Sequence, residues 1–382
     1  MNMRINSLTI LKQLIAIPSF VDNDSDNDES QIAEWIYQYI KKAGQPVKKQ
    51  FINRRRFNVL AGNFINPKVL VVGHMDTVKP SKEWDTNPLN PTEKAGLIYG
   101  AGSSDMKAGL SVMLSTLIGI KPKSALFLFY CDEEYDFMGM KIFVKEFRKK
   151  IKPRLILSMD GENLQIGNAC RGLIEMTITV RGKSGHSGNP DSGINAITKS
   201  VAVFVQLEQL LKSYKTPELG QSTINIASIN GGSLVGQKNN TPLLSREGNV
   251  IPDYCQIVLE VRPSDPKLDI TIIVNKVKEL LKKQQLKLEK ITIRHNLRSW
   301  ITPKTQLDNF IKLSPNKVLA DPMETGYLDI QLLWETFDKI TSLSFGPAEP
   351  DVSHTANEFV RISSLQKAQA FLEKLLKNDI ET

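Results

Sequence analysis

At 382 residues the chain is long enough for two domains, at about 100 to 200 residues each, and 41% hydrophobic against 24% charged residues is the composition of a globular protein with real cores. The 49 Lys and Arg outnumber the 41 Asp and Glu by only 8, spread along the chain. That excludes a concentrated nucleic-acid face, and no apolar run reaches the roughly 18 residues of a membrane span.

In chain order, residues 29–44 place Ile32, Trp35, Ile36, Tyr39 and Ile40 on one helical face and end in Lys-Lys-Ala-Gly, a helix with a proper stop. Lys48, Lys49, Arg54, Arg55 and Arg56 follow without interleaved aromatics and read as a solvated face. Three apolar runs, VLVVG (69–73), ALFLFYC (125–131) and LILSM (155–159), suit fully buried strands of a parallel or mixed sheet, with helices between them such as 106–119. Each run ends in ionisable residues: His74 and Asp76, then Asp132, Glu133 and Glu134, then Asp160. Ligands of open α/β sheets bind at the carboxyl ends of strands, so the pattern predicts one polar site on one sheet edge.

The middle of the chain changes character. Strand 174–182, helix 194–214, strands 223–229 and 255–262, helix 268–285 and strand 288–295 give the order β-α-β-β-α-β, a four-stranded antiparallel sheet with two helices on one face. Residues 173–296 are therefore expected as an inserted domain, and residues 1–172 and 297–382 as the larger domain, closed by a helix at 363–378. Cys131, Cys170 and Cys255, odd in number and without a CxxC, argue against a disulfide framework. With no leader pattern at the N-terminus, the expected location is the cytoplasm.

Four histidines make their contexts informative. His295, at a strand end, reads as structural. His74 belongs to GHMDTV, where the HxD spacing lets Asp76 hold one imidazole nitrogen while the other meets a metal. His186 lies in the Gly/Ser-rich GKSGHSGNP and His354 in EPDVSHTANEF. Asp105, in YGAGSSDMKAGL, reads alone as the N-cap of the next helix, although its glycine-rich approach also allows a carboxylate aimed into a site. Glu133 and Glu134 offer one carboxylate for a cation and one for a proton. His74, Asp105, Glu134, Asp160 and His354 together match a pair of Zn²⁺, Co²⁺ or Mn²⁺ ions better than a serine or cysteine nucleophile.

The ordered series GHMDTV, GAGSSDMKAGL, CDEE, SMDGE and SHTANEF resembles the di-zinc amidohydrolases and metallopeptidases of the M20 family, of the acetylornithine deacetylase and succinyl-diaminopimelate desuccinylase type, over essentially the whole chain. The resemblance implies an α/β fold, with a central mixed β-sheet catalytic domain flanked by helices and a ferredoxin-like lid and dimerisation domain inserted into it. It implies that Asp105 bridges two Zn²⁺ ions, one completed by His74 and Asp160 and the other by Glu134 and His354. It further implies that Asp76 orients His74, that Glu133 is general base and later acid, and that the Asp105–Met106 peptide is cis. His186 would polarise the scissile carbonyl in a partner subunit's site, Asn249 and Arg262 would grip the substrate's carboxylate, and Gly346 would line the pocket.

The implied protein is a homodimeric hydrolase of a small N-acyl amino acid, acting through a metal-bridged hydroxide, with no nucleic-acid or membrane partner. Two departures pull apart. Asp160, where many deacylases carry Glu, resembles the peptidase branch, whereas SFGPAEPDVSHTANEF resembles the deacetylase ending despite Ala348 in place of Gly. A dipeptidase, aminopeptidase or carboxypeptidase is therefore the second reading, and a non-catalytic dimeric binding protein the third.

Overall fold

Strands with no polar side chain to offer solvent must be covered on both faces, and this requirement sets the centre of the molecule. Val69–His74, Ala125–Tyr130 and Leu155–Ser158 are buried at every position in the computed structural model. Each fully covered Leu, Val or Phe contributes about 1.5–3 kcal/mol. The structure describes residues 6–22, 27–239, 241–245, 247–323, 326–328 and 330–377. It divides into two compact units, one from the stretches ending at Asn168 and beginning at Ile301, the other spanning Ala169–Trp300. The second unit is thus wider at both ends than the 173–296 read from the strand pattern.

The first unit holds a six-stranded mixed sheet in the order Val47–Phe51, Phe57–Gly62, Ala125–Tyr130, Val69–His74, Leu155–Ser158, Thr341–Ser344. The last four strands run parallel and the first two add antiparallel at one edge. Helix Lys107–Ile120 carries one charged residue in fourteen and is buried almost all round, packed by Ser7–Ile15 and Ile362–Lys377. A second, three-stranded sheet pairs Leu97–Tyr99 with both Thr92–Lys94 and Phe359–Arg361. It ties the C-terminal part of the chain to the segment entering the buried helix.

Lys48, Arg54 and Arg55 are exposed, as a solvated face would be, but the edge pair corrects that reading at Arg56 and in part at Lys49. Val47–Phe51 alternates as an edge strand, Lys49 pairs with Glu34, and Arg55 pairs with Asp28 at 3.0 Å. Arg56 is only 16% exposed, held by two buried carboxylates that draw it inward.

In the second unit, Leu173–Arg181 and Tyr254–Arg262 alternate buried and half-buried residues, the signature of a sheet with one face against the core. Helices Ala196–Leu211 and Ile270–Lys283 pack there, with Phe204, Leu207, Ile273 and Val277 meeting Met176, Ile178 and Ile257. The sheet has five strands, in the order Thr241–Ser245, Thr223–Lys238, Tyr254–Arg262, Leu173–Arg181, Lys287–Leu297. The four expected strands are present. The fifth arises because the strand opening at Thr223 runs on to Lys238 and turns back on itself, a pairing that TPLLS is too short and too polar to announce. Among the described residues no helix is long and apolar enough to cross a membrane.

Candidate active site

Strand register explains why distant residues meet. His74 sits opposite Tyr130, while Val72 sits opposite Ser158, which itself sits opposite Ser344. Asp76, Asp132, Asp160 and Gly346, each two residues past one of those strand ends, therefore leave the same edge of the sheet. At Gly346 the backbone runs against Gly161, and a Cβ would collide with the carbonyl oxygens of Gly161 and Met159, so only glycine fits that edge.

Buried His74 has Nε2 3.0 Å from Asp105 Oδ1. Its Nδ1 lies 3.0 Å from the backbone oxygen of Asp76 and 3.6 Å from that residue's carboxylate. The Asp76 carboxylate has another task, accepting the backbone N–H groups of Glu133 at 3.1 Å and Glu134 at 2.9 Å. Asp76 thus ties the end of one strand to the turn that follows the next. Behind that turn, Arg56 donates from Nε to Glu29 at 2.7 Å and from Nη2 to Asp132 at 2.5 Å, and Asp132 accepts from the N–H groups of Asp136 and Met138.

Asp105 is not a helix cap. The helix begins at Lys107 without a side-chain cap, and the Asp105–Met106 peptide is cis. Its carboxylate faces two imidazoles, His74 on Oδ1 and His354 Nε2 at 3.2 Å from Oδ2. His354 Nε2 also lies 3.0 Å from Glu134 Oε1. Donor atoms converge within 4.8 Å of one another in three groups: His74 with Asp105 and Asp160, Asp105 with Glu134 and His354, and His74 with Glu133 and Glu134. The first two share Asp105.

The electrostatics of this cluster are those of a cation site. Burial pulls the His74 imidazole down, yet hydrogen bonds to Asp105 and Asp76 carry it well above its ordinary value. Hydrogen bonds to Asp105 and Glu134 push exposed His354 up to about 10. Asp105 resists burial through its bonds from His354 and His74 and falls below the usual carboxylate range, whereas burial raises Glu134. Protons on the imidazoles thus answer the converging carboxylates, a task that divalent cations perform with the same mixed N/O donor set. Beside Asp105 and His354 opens a cleft walled by Thr77, Trp84, Gly102 and Thr355.

The remaining sequence candidates lie in the second unit. His186 is exposed, its Nδ1 accepting the N–H of Gly188 at 3.0 Å, and it bridges to Val250. Ser187 donates to the Asn249 carbonyl at 2.9 Å, so His186 and Asn249 are neighbours. Arg262 is half-buried, with Nε 2.8 Å from Glu260, at the far end of the Tyr254–Arg262 strand. Eight steps of about 3.3 Å put Arg262 roughly 26 Å from Tyr254, and Asn249 lies in the turn before Tyr254, so within one protomer the two do not grip one carboxylate. His295 is buried opposite Glu175, as a structural residue would be.

Two charged residues escaped the sequence reading. Buried Lys107 donates to the Ile17 carbonyl at 2.9 Å, and burial draws its amine down to about 7. Buried Glu358 accepts N–H groups from Gly102, Ser104 and Asp105, and burial raises it to about 7. The available signal was position: Lys107 is the lone charge of an apolar helix, and Glu358 abuts the strand entered at Phe359.

The family model described as Peptidase family M20/M25/M40 matches residues 70–378. An acetylornithine deacetylase of Buchnera aphidicola subsp. Schizaphis graminum is 29% identical over 391 residues, covering 97% of each chain. Among solved structures, an M20 family metallo-carboxypeptidase from Sulfolobus solfataricus superposes with a TM-score of 0.74 at 17% identity, over 97% of this chain and 98% of that one. A tripeptidase from Staphylococcus aureus gives a TM-score of 0.70 at 20% identity, over 98% of each chain. At those identities the two structures speak for the fold.

Proposed function

The chain belongs to peptidase family M20/M25/M40 and is a hydrolase of amide bonds, and from that premise we propose that it removes the acyl group from an N-acyl amino acid with two divalent metal ions, Zn²⁺ foremost. The observation that carries the deacylase reading is the extent of the likeness to an acetylornithine deacetylase, which runs through 97% of both chains. The peptidase reading keeps second place because Asp160 stands where many deacylases have Glu.

In this reading Asp105 would serve both ions, with His74 and Asp160 holding one and Glu134 and His354 the other, in keeping with the two donor groups that share Asp105. Divalent metal bound there would supply a water of lowered pKa and polarisation of the amide carbonyl. Glu133, buried at the same sheet edge with its backbone fixed by Asp76, takes the proton of the attacking water and returns it to the leaving amine. The cleft beside Asp105 and His354 is assigned to the substrate, and Gly346, whose lack of a side chain lets its backbone pack against Gly161, to the adjoining wall. His186 and Asn249 at one end of the second unit's sheet, and Arg262 at the other, are assigned to the substrate's carbonyl and carboxylate. Because one protomer separates them, the assignment carries with it a homodimer, working in the cytoplasm.

The test is release of free amino acid by Zn²⁺- or Co²⁺-loaded protein from N-acetyl amino acids, N-succinyl amino acids and dipeptides, beside Glu133→Gln. Turnover of acyl amino acids that vanishes in the variant is the expected result. Turnover of dipeptides alone moves the protein to the peptidase reading, and equal behaviour of wild type and variant on every substrate supports a binding protein.

A further inference from the structure

The loop that carries Asp105 turns three backbone N–H groups toward one carboxylate. Gly102 donates to Glu358 Oε2 at 2.8 Å, and Ser104 and Asp105 donate to Oε1 at 2.7 and 2.8 Å. Successive N–H groups of this kind form an anion-binding nest, and the charge of the acceptor strengthens each bond. Here the anion is built into the chain. Glu358 is 5% exposed, and its place is set by the antiparallel pairing of Phe359 with Tyr99 and by the Gly100 N–H donating to its backbone oxygen at 3.1 Å. Gly102 takes φ +75° in this turn, where a Cβ would also run into Thr77. Ser104 is fixed from its other side, its hydroxyl accepting the Glu349 N–H at 2.7 Å.

We propose that Glu358 is the positioning residue of the metal centre: by filling this nest it fixes the backbone at Asp105, so that the two oxygens of one carboxylate face His74 and His354 at once. The inference rests on the two-ion reading of the site. Its physical content is that Asp105 is held from both ends, its amide by Glu358 and its carboxylate by the two imidazoles. The segment that supplies Glu358 also supplies His354 four residues earlier, so one piece of backbone sets both the shared carboxylate and a ligand of the second ion. Gln at 358 matches Glu in size, but its NH₂ cannot accept a hydrogen bond, so at least one of the three donors loses its partner. Such supporting residues typically govern metal affinity by ten- to a hundredfold.

The experiment is chelator competition for Zn²⁺ with wild type, Glu358→Gln, Glu358→Ala and Ile40→Ala, the last a core substitution on the helix Ser30–Lys42 chosen to lower thermal stability without touching the site. The expected result is two ions in wild type and in Ile40→Ala. In Glu358→Gln both ions should weaken together by about ten- to a hundredfold, because they share Asp105. Formate, a free carboxylate that fits the vacated nest, should restore affinity in Glu358→Ala and leave wild type unchanged. Wild-type affinity in Glu358→Gln overturns the proposal, as does a loss that Ile40→Ala reproduces at equal stability. Should Glu358→Gln not fold, absence of any formate effect in Glu358→Ala overturns it as well. A wild type that takes up no pair of ions overturns the two-ion reading itself, a result visible before any variant is compared.

Discussion

His74 and His354 meet the same carboxylate from opposite kinds of structure. His74 ends a strand whose neighbours are in register on both sides, and it is 1% exposed. His354 lies in a turn at φ 62°, half-exposed, and is tied in through a short three-stranded sheet. Buried parallel strands make side-chain position a consequence of core packing, which tolerates little displacement. A turn makes position a consequence of a few hydrogen bonds. The centre therefore joins a half fixed by the core to a half fixed by local contacts, and the second half is the one adjusted at small cost in stability.

The sharpest test of the packed half is its proposed proton carrier. Glu133→Gln should lower the rate by about a hundred- to ten-thousandfold while metal content stays unchanged, since general acid–base groups contribute on that scale. Rate and metal stoichiometry measured on one preparation decide it, and lost metal would mean that Glu133 serves as a ligand instead.

Next comes Arg56, which supports the same half from behind. Arg56→Met leaves Glu29 and Asp132 buried without their cation and should cost about 3–5 kcal/mol in urea unfolding. Burial and the nearby Asp76 charge raise Glu29 to about 7 in the folded protein. Between its ordinary value and about 7 the folded state binds more protons there than the unfolded state, so the Glu29 contribution to stability declines as pH rises through that window. Without Arg56 this window should widen upward, so the variant's deficit should be larger at pH 8 than at pH 5. A deficit independent of pH would break the account.

Smaller again is the exchange of protons for metal. With His354 raised to about 10 and His74 also raised in the metal-free protein, binding at neutral pH must displace protons. Affinity should fall by about tenfold for each proton displaced and each unit of pH lost, and calorimetry in buffers of different ionisation enthalpy counts the protons. The contrast between the two halves can be read directly: His354→Ala, which takes one imidazole from Asp105 and Glu134, should cost less metal-free stability than His74→Ala, which removes a partner of Asp105 and also leaves a cavity in the packed half. Equal costs would erase the contrast.

The same contrast decides what the sequence disclosed. VLVVG, ALFLFYC and LILSM are legible because strands covered on both faces need unbroken apolar runs, and the ionisable residue after each run must emerge at the strand end. Glu358 and Lys107 could be suspected only from position, because a charge buried against backbone groups leaves no periodic trace. Arg56 was misread among neighbouring basic residues, since its burial is set by Glu29 and Asp132, which are distant in sequence. The strands Val47–Phe51 and Thr241–Ser245 were missed for want of a strong apolar pattern. Nor does sequence proximity show that Arg262 ends the strand that opens at Tyr254 while Asn249 lies in the turn before it.

The placement of Thr341–Ser344 beside Leu155–Ser158 has a consequence for biosynthesis. A ribosome makes the first five strands of the larger sheet, then all of Ala169–Trp300, and only afterwards the strand that completes the edge. His354 and Glu358 follow that strand. Translation therefore delivers a nascent chain whose inserted unit has its own core while the parent sheet still waits for its last edge, and the cluster around Asp105 stays incomplete until His354 and Glu358 have followed that strand.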